Sequence, residues 1–478
     1  MYFRQVFEPR LAQYAYIIGC QRTGEAIVFD PQRDIQRYID IASKEGLKIT
    51  AVAETHIHAD FLSGARAFAD AHNVALYLSD EGDEDWKYTW AKQAGYNFHP
   101  LKHGDMFRIG NIGFQVLHTP GHTPEHICFL VTDFGGGADE PMGIVSGDFV
   151  FVGDLGRPDL LETAAGVQGA QDASAARLYD SVKQFLTLQD HLQIWPGHGA
   201  GSACGKALGA VPMSTVGYEK QFNAAIQFAH EGRAPFVNAI LDGQPEPPLY
   251  FGRMKRENKE GPAVLPAIPI PRQIPIATLM DAAAADDTAI LDLRTNRSAF
   301  MQQHVPKALF APLNNSFPTV AGSYIRPNEA VYLVVKSSAD VREAVDNLVR
   351  IGIDNIAGYT LAQELASASN LSQIREIAIT DLDISGRANN AVLDVRRKAE
   401  FDEGHIPEAI NIAHTRLLDR LDELSEDTTY FVHCKSGGRA ALASAMLKRA
   451  GHDVVYVNGL YAEWAKHNRE EADQSLAA

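Results

Sequence analysis

The stretch that decides the fold is ITAVAETHIHADFLSG, residues 49–64. Its first half is an apolar run typical of a buried β-strand, and this run ends in two histidines and an aspartate. If the strand alternation continues, His56 and His58 point the same way, and Asp60 follows two residues later. Imidazole and carboxylate groups at the carboxyl end of a strand predict a metal site. Phe61 stands where a histidine would serve a second metal ion, and its ring has no lone pair to donate.

The bulk composition is that of an ordinary globular protein. The chain has 478 residues, which is too long for one core, and about 150 residues per domain gives roughly three domains. The net charge of -17 argues against a nucleic-acid partner, because phosphate binding needs a basic face. No apolar run approaches the length of a membrane span, and the first residues lack the layout of a signal peptide. We therefore expect a cytoplasmic protein with no membrane partner.

The four cysteines are too few and too scattered for a disulfide scaffold. In a reducing compartment, a special cysteine should be a reactive thiol. Cys204 lies in the glycine-rich stretch GHGAGSACGKALG, close in sequence to a candidate metal ligand. It is either a functional thiol or a buried residue that behaves as a small apolar side chain.

Segment composition predicts a boundary after the first 245 residues. Up to that point strand-like and helix-like segments alternate, which indicates an α/β fold with functional residues on loops after strands. Residues 246–272 are rich in proline and glycine around a charged run, and we predict an interdomain linker there.

The remaining residues contain an internal repeat. Three pairs of segments match: AILDLR (289–294) with AVLDVR (391–396), QHVPKA (303–308) with GHIPEA (404–409), and VYLVVKSSADV (331–341) with TYFVHCKSGGR (429–439). The repeat predicts two copies of one α/β domain, over residues 273–372 and 376–474.

Candidate metal ligands lie in four patches, HIHAD (56–60), HTPGHTPEH (118–126), GD (147–148) and PGHG (196–199). In this order the patches resemble the metallo-β-lactamase fold superfamily over about the first 230 residues. The resemblance implies an αββα sandwich. With Phe61 in place of a metal-binding histidine, the series is similar to the persulfide dioxygenases, a mononuclear branch.

The resemblance implies one iron ion per dioxygenase domain, held by His56, His122 and Asp148. Two histidines and a carboxylate leave three open positions on one face, which suits Fe(II) and O2. The same mapping makes three further residues either groups that orient the ligands or ligands of an alternative metal arrangement; these are His58, Asp60 and His198. We expect His118 and His126 to be structural.

The resemblance also implies that Arg157, in the loop after Asp148, contacts the thiol co-substrate. A guanidinium can pair with a carboxylate or phosphate of a small thiol. The alternative is a salt bridge from Arg157 to Asp154 or Asp159.

The second repeat carries a loop suited to a persulfide. A strand runs into Cys434, followed by the loop residues Lys435, Ser436, Gly437, Gly438 and Arg439, and then by an alanine-rich helix. Backbone N–H groups of such a loop can converge on one anion, and the helix N-terminus and arginine add positive potential that favours a thiolate. With LDVR and GHIPEA upstream, this region resembles a rhodanese domain. A cysteine-based phosphatase shares the loop spacing alone.

The first repeat lacks this chemistry. Lys336 stands at the cysteine position, Ala339 and Asp340 replace the loop glycines, and Val341 replaces the arginine. We predict a non-catalytic pseudo-rhodanese domain.

The whole chain thus resembles the persulfide dioxygenase–rhodanese fusions. That resemblance implies oxidation of a thiol persulfide by O2 to sulfite, thiosulfate formation or use at Cys434, sulfide detoxification, and a dimer or tetramer. The thiol carrier stays open between glutathione, coenzyme A and another small thiol. One alternative is a zinc-dependent glyoxalase II-like thioester hydrolase that uses His56, His58 and His122. Another is a sulfur sensor without turnover.

Overall fold

The computed structural model describes residues 1–163, 169–383 and 389–467, so residues 468–474 of the predicted last domain lie outside the described residues. The chain divides into two compact units. The first comprises Met1–Ile268 with Val349–Gly352, and the second comprises Pro269–Leu348 with the residues from Ile353 onward. Among the described residues, no helix is long and apolar enough to span a bilayer.

Two six-stranded sheets form the first unit, and in both of them neighbouring strands follow one another in the chain. The first sheet contains β1 (Tyr2–Glu8), β2 (Gln13–Cys20), β3 (Glu25–Phe29), β4 (Lys48–Ala53), β5 (Ala75–Ser79) and β6 (Phe98–Leu101). The second sheet contains β7 (Met106–Ile109), β8 (Ile112–His118), β9 (Ile127–Asp133), β10 (Gly143–Gly147), β11 (Gln193–Pro196) and β12 (Ser214–Thr215).

The helices of this unit cover the outer faces of the sheets. They are α1 (Gln36–Lys44), α2 (Ala65–His72), α3 (Thr89–Gln93), α4 (Leu160–Thr163), α5 (Ala170–Phe185), α6 (Val216–Phe222), α7 (Ala224–Glu231) and α8 (Arg233–Leu241). Strand β2 is buried on both faces, because Ala15 and Ile17 face the helices while Tyr16 and Ile18 face the other sheet. The result is the αββα sandwich predicted from the sequence.

The predicted linker is not an extended connection throughout. Within residues 246–272 the chain forms helix α9 (Phe251–Glu260), and the segment up to Ile268 belongs to the first compact unit. Three side chains on one face of this helix, Phe251, Met254 and Asn258, are buried. Apolar residues at helical spacing thus stabilise this helix by packing. The prolines, glycines and charged residues around it led the sequence analysis to predict a linker instead.

The second unit contains two parallel five-stranded sheets. One has the order β13-β17-β16-β14-β15 and the other the order β18-β22-β21-β19-β20, so the two topologies are identical. The strands are β13 (Arg272–Gln273), β14 (Thr288–Asp292), β15 (Leu309–Phe310), β16 (Ala330–Val335), β17 (Ile356–Leu361), β18 (Arg375–Ala378), β19 (Asn390–Asp394), β20 (Ile410–Asn411), β21 (Thr429–His433) and β22 (Asp453–Asn458). The helices are α10 (Ile276–Ala282), α11 (Arg297–Gln302), α12 (Phe317–Tyr324), α13 (Ala339–Arg350), α14 (Lys398–Asp402) and α15 (Gly438–Arg449).

The two repeats also share an ion pair at the end of the corresponding strands β14 and β19, each of which neighbours the central strand of its sheet. Arg294 binds Asp292 and Arg396 binds Asp394, each with a shortest N–O distance of 2.6 Å. Both aspartates have side chains with no solvent exposure. The duplication inferred from the sequence therefore extends to the contacts that hold each sheet to its following loop.

Asn258 of α9 fixes the loop that carries Asp60. Its amide donates to the carbonyls of His58 (2.8 Å) and Phe61 (2.7 Å), and its carbonyl accepts from the Ser63 N–H (2.9 Å). We predict that Asn258→Ala lowers the free energy of unfolding by about 3 kcal/mol, because three buried hydrogen bonds are lost. Denaturant unfolding of the full chain and hydrogen exchange of the amides of residues 57–64 measure the effect.

The matched control for this prediction is Glu260→Ala, an exposed position on the same helix. It should change stability by no more than about 0.5 kcal/mol. Equal exchange rates for the 57–64 amides in Asn258→Ala and wild type would contradict the assigned role of Asn258.

Candidate functional site

The candidate metal ligands lie in loops that follow strands of the first unit. His56 follows β4, His122 lies between β8 and β9, Asp148 follows β10, and His198 follows β11. All four side chains are at most 2% exposed. The αββα sandwich therefore brings together residues that are far apart in sequence.

Three donor atoms converge on one point. Asp148 Oδ2 lies 3.5 Å from His122 Nε2 and 4.0 Å from His56 Nε2. Two ligand atoms that each bind the same ion at about 2.0–2.2 Å lie at comparable distances from one another. Among the described residues, neither carboxylate oxygen of Asp148 has a hydrogen-bond partner.

The outer nitrogen of each histidine is held by an acceptor. His122 Nδ1 donates to the Arg157 carbonyl at 2.9 Å. The Thr55 hydroxyl donates to Asp30 at 2.9 Å, so at 3.0 Å it accepts from His56 Nδ1. Both Nε2 atoms consequently present lone pairs to the Asp148 carboxylate. Acceptors that face one another in a buried site require a cation, and this donor set fits a metal ion.

Burial sets the protonation of these groups. It lowers the pKa of His122 to about 4 and holds the pKa of His56 well below its usual range. It also raises the pKa of Asp148 to about 6. The imidazoles are thus neutral near pH 7, which is the form that binds metal.

The backbone around Asp148 is closely packed. Gly147 has φ +49°, and a Cβ on Gly156 would lie 1.7 Å from the Asp148 carbonyl oxygen. His126 Nε2 accepts from the Asp148 N–H at 3.1 Å, and the ring of His118 contacts the Pro124 carbonyl at 2.8 Å. The two histidines expected to be structural thus contact backbone groups.

A second donor group adjoins the first. His198 Nε2 lies 3.3 Å from Asp60 Oδ2 and 3.6 Å from Asp148 Oδ2. Ligand atoms of Asp60, His198 and Cys204 all lie within 4.8 Å of one another. Cys204 is 2% exposed, and burial raises the pKa of its thiol well above the usual range. The structure therefore brings this cysteine into the polar centre.

His58 is oriented differently from the expectation that it points the same way as His56. Its Nε2 lies 3.2 Å from Asp30 Oδ1 and 3.2 Å from Glu54 Oε2. Burial acts to lower the pKa of His58, but the two carboxylates hold it well above its usual range. Strand β4 ends at Ala53, so alternation of side chains does not continue to the histidines.

Asp30 and Glu54 were not identified from the sequence. Each is an acidic residue directly after an apolar strand, in GEAIVFD and ITAVAET, and this position was the available signal. Their contacts assign them to His58 and Thr55 rather than to the converging donors.

Arg157 has no free face for a substrate. Its side chain is 1% exposed, binds both oxygens of Asp159 at 2.8 and 2.6 Å, and donates to the Ala203 carbonyl at 3.1 Å. This geometry confirms the salt bridge to Asp159 that the sequence left as an alternative, and contact of the guanidinium with a co-substrate stays a prediction. The carboxylate of Asp159, two residues away, pairs with the guanidinium. The backbone carbonyl of Arg157 accepts from His122 Nδ1 and so orients that ring.

The Cys434 loop of the second repeat lies between β21 and α15. Cys434 is 1% exposed, and the Ala440 N–H donates to its sulfur at 3.3 Å. Gly437 has φ +83°, and the Tyr456 hydroxyl donates to its carbonyl at 3.1 Å. A left-handed residue ahead of the helix turns the backbone of this loop around the thiol.

Arg439 points toward helix α14 instead of standing free. It donates to both oxygens of Glu400, at 2.5 and 2.8 Å. The hydrogen bonds from Arg439 lower the pKa of Glu400 to about 2. Arg439 thus connects the loop to the preceding part of its own domain.

In the first repeat, Lys336 at the cysteine position is exposed, and Asp340 accepts from the Ser337 N–H at 3.0 Å. Val341 is buried. In the first repeat the Asp340 carboxylate thus binds the backbone of this loop at the position where the second repeat has Gly438. The loop contains no cysteine.

Comparison with known proteins agrees with this arrangement. Residues 9–198 match the metallo-beta-lactamase superfamily, and residues 382–467 match the rhodanese-like domain. A crystal structure of a metallo-beta-lactamase from Staphylococcus aureus is 40% identical, covers 76% of this chain and 99% of its own, and has a TM-score of 0.67. The chain belongs to the metallo-β-lactamase superfamily and carries a C-terminal rhodanese-like domain.

Two further relatives differ in chemistry. Bovine persulfide dioxygenase ETHE1, a mitochondrial protein, is 24% identical over 48% of this chain and 77% of its own length. The probable polyketide biosynthesis zinc-dependent hydrolase BaeB of Bacillus velezensis is 22% identical over 45% of this chain and 85% of its own length. Each of these two matches spans slightly less than half of the present chain.

The orientations of His56 and His58 generate a prediction. We expect His56→Gln to lose the bound metal, because one of three converging donors is removed. His58→Gln should retain it, because the glutamine amide can still donate to Asp30 and Glu54. Metal content of the purified full-length variants, measured by mass spectrometry, distinguishes them; loss in His58→Gln with retention in His56→Gln would refute the assignment.

Proposed function

We propose that the first unit is a mononuclear non-haem Fe(II) persulfide dioxygenase and that the C-terminal domain is a rhodanese-type sulfurtransferase. The observation that carries this proposal is the convergence of two imidazoles and one carboxylate, with His58 bound to its own carboxylates. A two-histidine, one-carboxylate set favours non-haem iron. The persulfide dioxygenase relative and the rhodanese-like match support the pairing of activities.

The protein groups around this centre orient the donors and exclude water. The Arg157 carbonyl and the Thr55 hydroxyl fix the two imidazoles, and His126 fixes the backbone of Asp148. An iron ion held by these residues would supply the chemistry that brings a sulfur nucleophile and dioxygen to reaction. The reaction would be R–S–SH + O2 + H2O giving R–SH + SO3²⁻ + 2H⁺.

Cys434 would carry a sulfane sulfur as a persulfide. Its thiolate attacks the outer sulfur of R–S–SH, the S–S bond of R–S–SH breaks, and the carrier leaves as R–S⁻. Sulfite attacks the outer sulfur, the S–S bond breaks, and thiosulfate leaves while the cysteine sulfur departs as thiolate. The Ala440 N–H, which already contacts the sulfur, stabilises that negative charge. The reverse reaction uses thiosulfate to reload Cys434. The two activities together would remove sulfide-derived persulfides.

The test is O2 consumption by anaerobically Fe(II)-loaded protein given glutathione persulfide or coenzyme A persulfide, with sulfite and thiosulfate assayed. We expect His122→Ala to abolish O2 uptake. Cys434→Ser should keep uptake and release sulfite instead of thiosulfate, because it removes only the sulfur acceptor. No uptake by the iron-loaded wild type with any persulfide would overturn the dioxygenase assignment.

The second candidate is a zinc-dependent thioester hydrolase, which the similarity to a zinc-dependent hydrolase favours. In that case the zinc-loaded protein hydrolyses glutathione or coenzyme A thioesters, and the iron-loaded protein consumes no O2. His122→Ala abolishes either activity, so the choice of metal and substrate separates the candidates.

A further inference from the structure

The two repeats of the second unit contact each other beside the Cys434 loop. Ser298 of α11, in the first repeat, donates to Glu376 Oε1 at 3.0 Å, and Asn458 at the end of β22 donates to the same oxygen at 2.6 Å. Glu376 lies on β18 of the second repeat. This carboxylate thus fixes the start of α11 against the repeat that carries Cys434.

The first residue of α11, Arg297, reaches the Cys434 loop from the neighbouring repeat. A Cβ placed on Gly437 would lie 3.2 Å from Arg297 Cζ, and a Cβ placed on Gly438 would lie 4.0 Å from Arg297 Nη1. Gly438 is the first residue of α15. The guanidinium therefore lies against the backbone at the point where the loop enters its helix. The absence of a side chain at Gly437 permits this close approach.

Arg297 is half-buried and has no acidic partner. Among the described residues, no carboxylate lies within salt-bridge distance of its guanidinium, although ion pairs hold other arginines of the same unit. The loop's own arginine, Arg439, differs because both oxygens of Glu400 accept its hydrogen bonds. Lys435 of the loop is exposed to solvent. Arg297 is thus a half-buried cation beside the loop that no carboxylate neutralises at contact distance.

The Tyr456 hydroxyl lies within the influence of both Arg297 and the reactive sulfur. It donates to the Gly437 carbonyl at 3.1 Å. Burial raises the pKa of Tyr456, the positive charge of Arg297 acts to lower it, and negative charges on Glu376 and Cys434 act to raise it. One hydroxyl of the loop region thus responds to the cation of the first repeat and to the thiolate of the second.

We propose that Arg297 binds the oxygens of the sulfur anion that reacts at Cys434, which is sulfite in one direction and thiosulfate in the other. This inference rests on the proposed function and assigns a task to the repeat that has no cysteine. A planar guanidinium can donate two parallel hydrogen bonds to two oxygens of such an anion.

Arg297 remains a cation throughout the transfer. The step is Cys434–S–S⁻ + SO3²⁻ giving Cys434–S⁻ + S2O3²⁻. The lone pair on the sulfur of sulfite forms the new S–S bond, the old S–S bond breaks, and its electron pair stays on the cysteine sulfur. The oxygens of sulfite take no part in these bonds, so they remain available to the guanidinium.

Two acceptors that attack the same Cys434 persulfide distinguish anion binding from a structural role. The full-length protein is loaded anaerobically with glutathione persulfide, freed of excess donor and mixed with sulfite or cyanide, and thiosulfate or thiocyanate is measured. The product that Cys434→Ser releases is subtracted as background. We expect Arg297→Gln to lower the rate constant with sulfite about tenfold or more, because a charge-assisted contact to its oxygens is lost.

The rate constant with cyanide should stay within about twofold in Arg297→Gln, because cyanide has no oxygen and a single screened charge affects it little. Arg297→Lys keeps the charge and should react with sulfite faster than Arg297→Gln does. Equal losses with both acceptors, or an unchanged rate with sulfite, would overturn the inference.

The matched control is Arg272→Gln, which removes an exposed arginine from the edge strand β13 of the same repeat. This variant should react with both acceptors at wild-type rates. A sulfite rate lowered as far as in Arg297→Gln would indicate a general effect of net charge and would argue against a specific site at Arg297.

A protection experiment tests the inference even in a protein that transfers no sulfur. Cys434 of the full-length protein is alkylated with iodoacetamide, a neutral reagent, at increasing concentrations of inorganic sulfate, and mass spectrometry measures modification of the Cys434 peptide. Sodium chloride at equal ionic strength controls for screening. We expect Arg297→Gln to need about tenfold more sulfate than the wild type for half-maximal protection.

The two experiments separate this inference from the function on which it rests. A wild type that transfers no sulfur, but in which sulfate protection depends on Arg297, overturns the sulfurtransferase and leaves the anion site in place. Equal protection of the wild type and Arg297→Gln, or protection of neither, overturns the anion site whatever the sulfurtransferase activity is.

Discussion

The first unit depends on one unfavourable arrangement, the burial of the Asp148 carboxylate among imidazole nitrogens that present lone pairs to it. His122 and His56 donate their other ring protons to the protein, so they cannot donate to the carboxylate as well. A buried carboxylate without a full set of donors is costly, and a bound cation relieves this cost. Metal affinity and stability of this centre are therefore coupled.

The same polar centre determines which histidine faces the converging donors. Asp30 accepts a hydrogen bond from the Thr55 hydroxyl, which orients His56, and Asp30 also contacts His58. One carboxylate thus orients the first histidine and holds the second one away from the converging donors. Phe61 packs against the His58 ring at 4.4 Å between centroids, with a tilt of 32°. A separate donor group adjoins the converging set and consists of Asp60, His198 and Cys204.

The sequence predicted much of the fold and part of the site, for identifiable reasons. The αββα sandwich was implied by the family resemblance that the strand-terminal motifs carry, and the duplicated domain followed from the repeated segments; both signals are local. The orientation of His58 could not be predicted, because it depends on where β4 ends and on Asp30, which comes from another strand.

Comparison of the two repeats distinguishes residues that hold the fold together from residues that only the second repeat has. Both have the aspartate–arginine pair at the end of the corresponding strands β14 and β19, with equal shortest distances, so this contact serves the scaffold. Only the second has Cys434 and the glycine that turns the loop, and the first forms the same sheet topology without them, so these residues are not needed for the fold. In the proposed function, a covalent link between a sulfite-producing and a sulfite-consuming site would raise the effective concentration of the intermediate. That advantage would need only one rhodanese loop with a cysteine, and the second repeat supplies it.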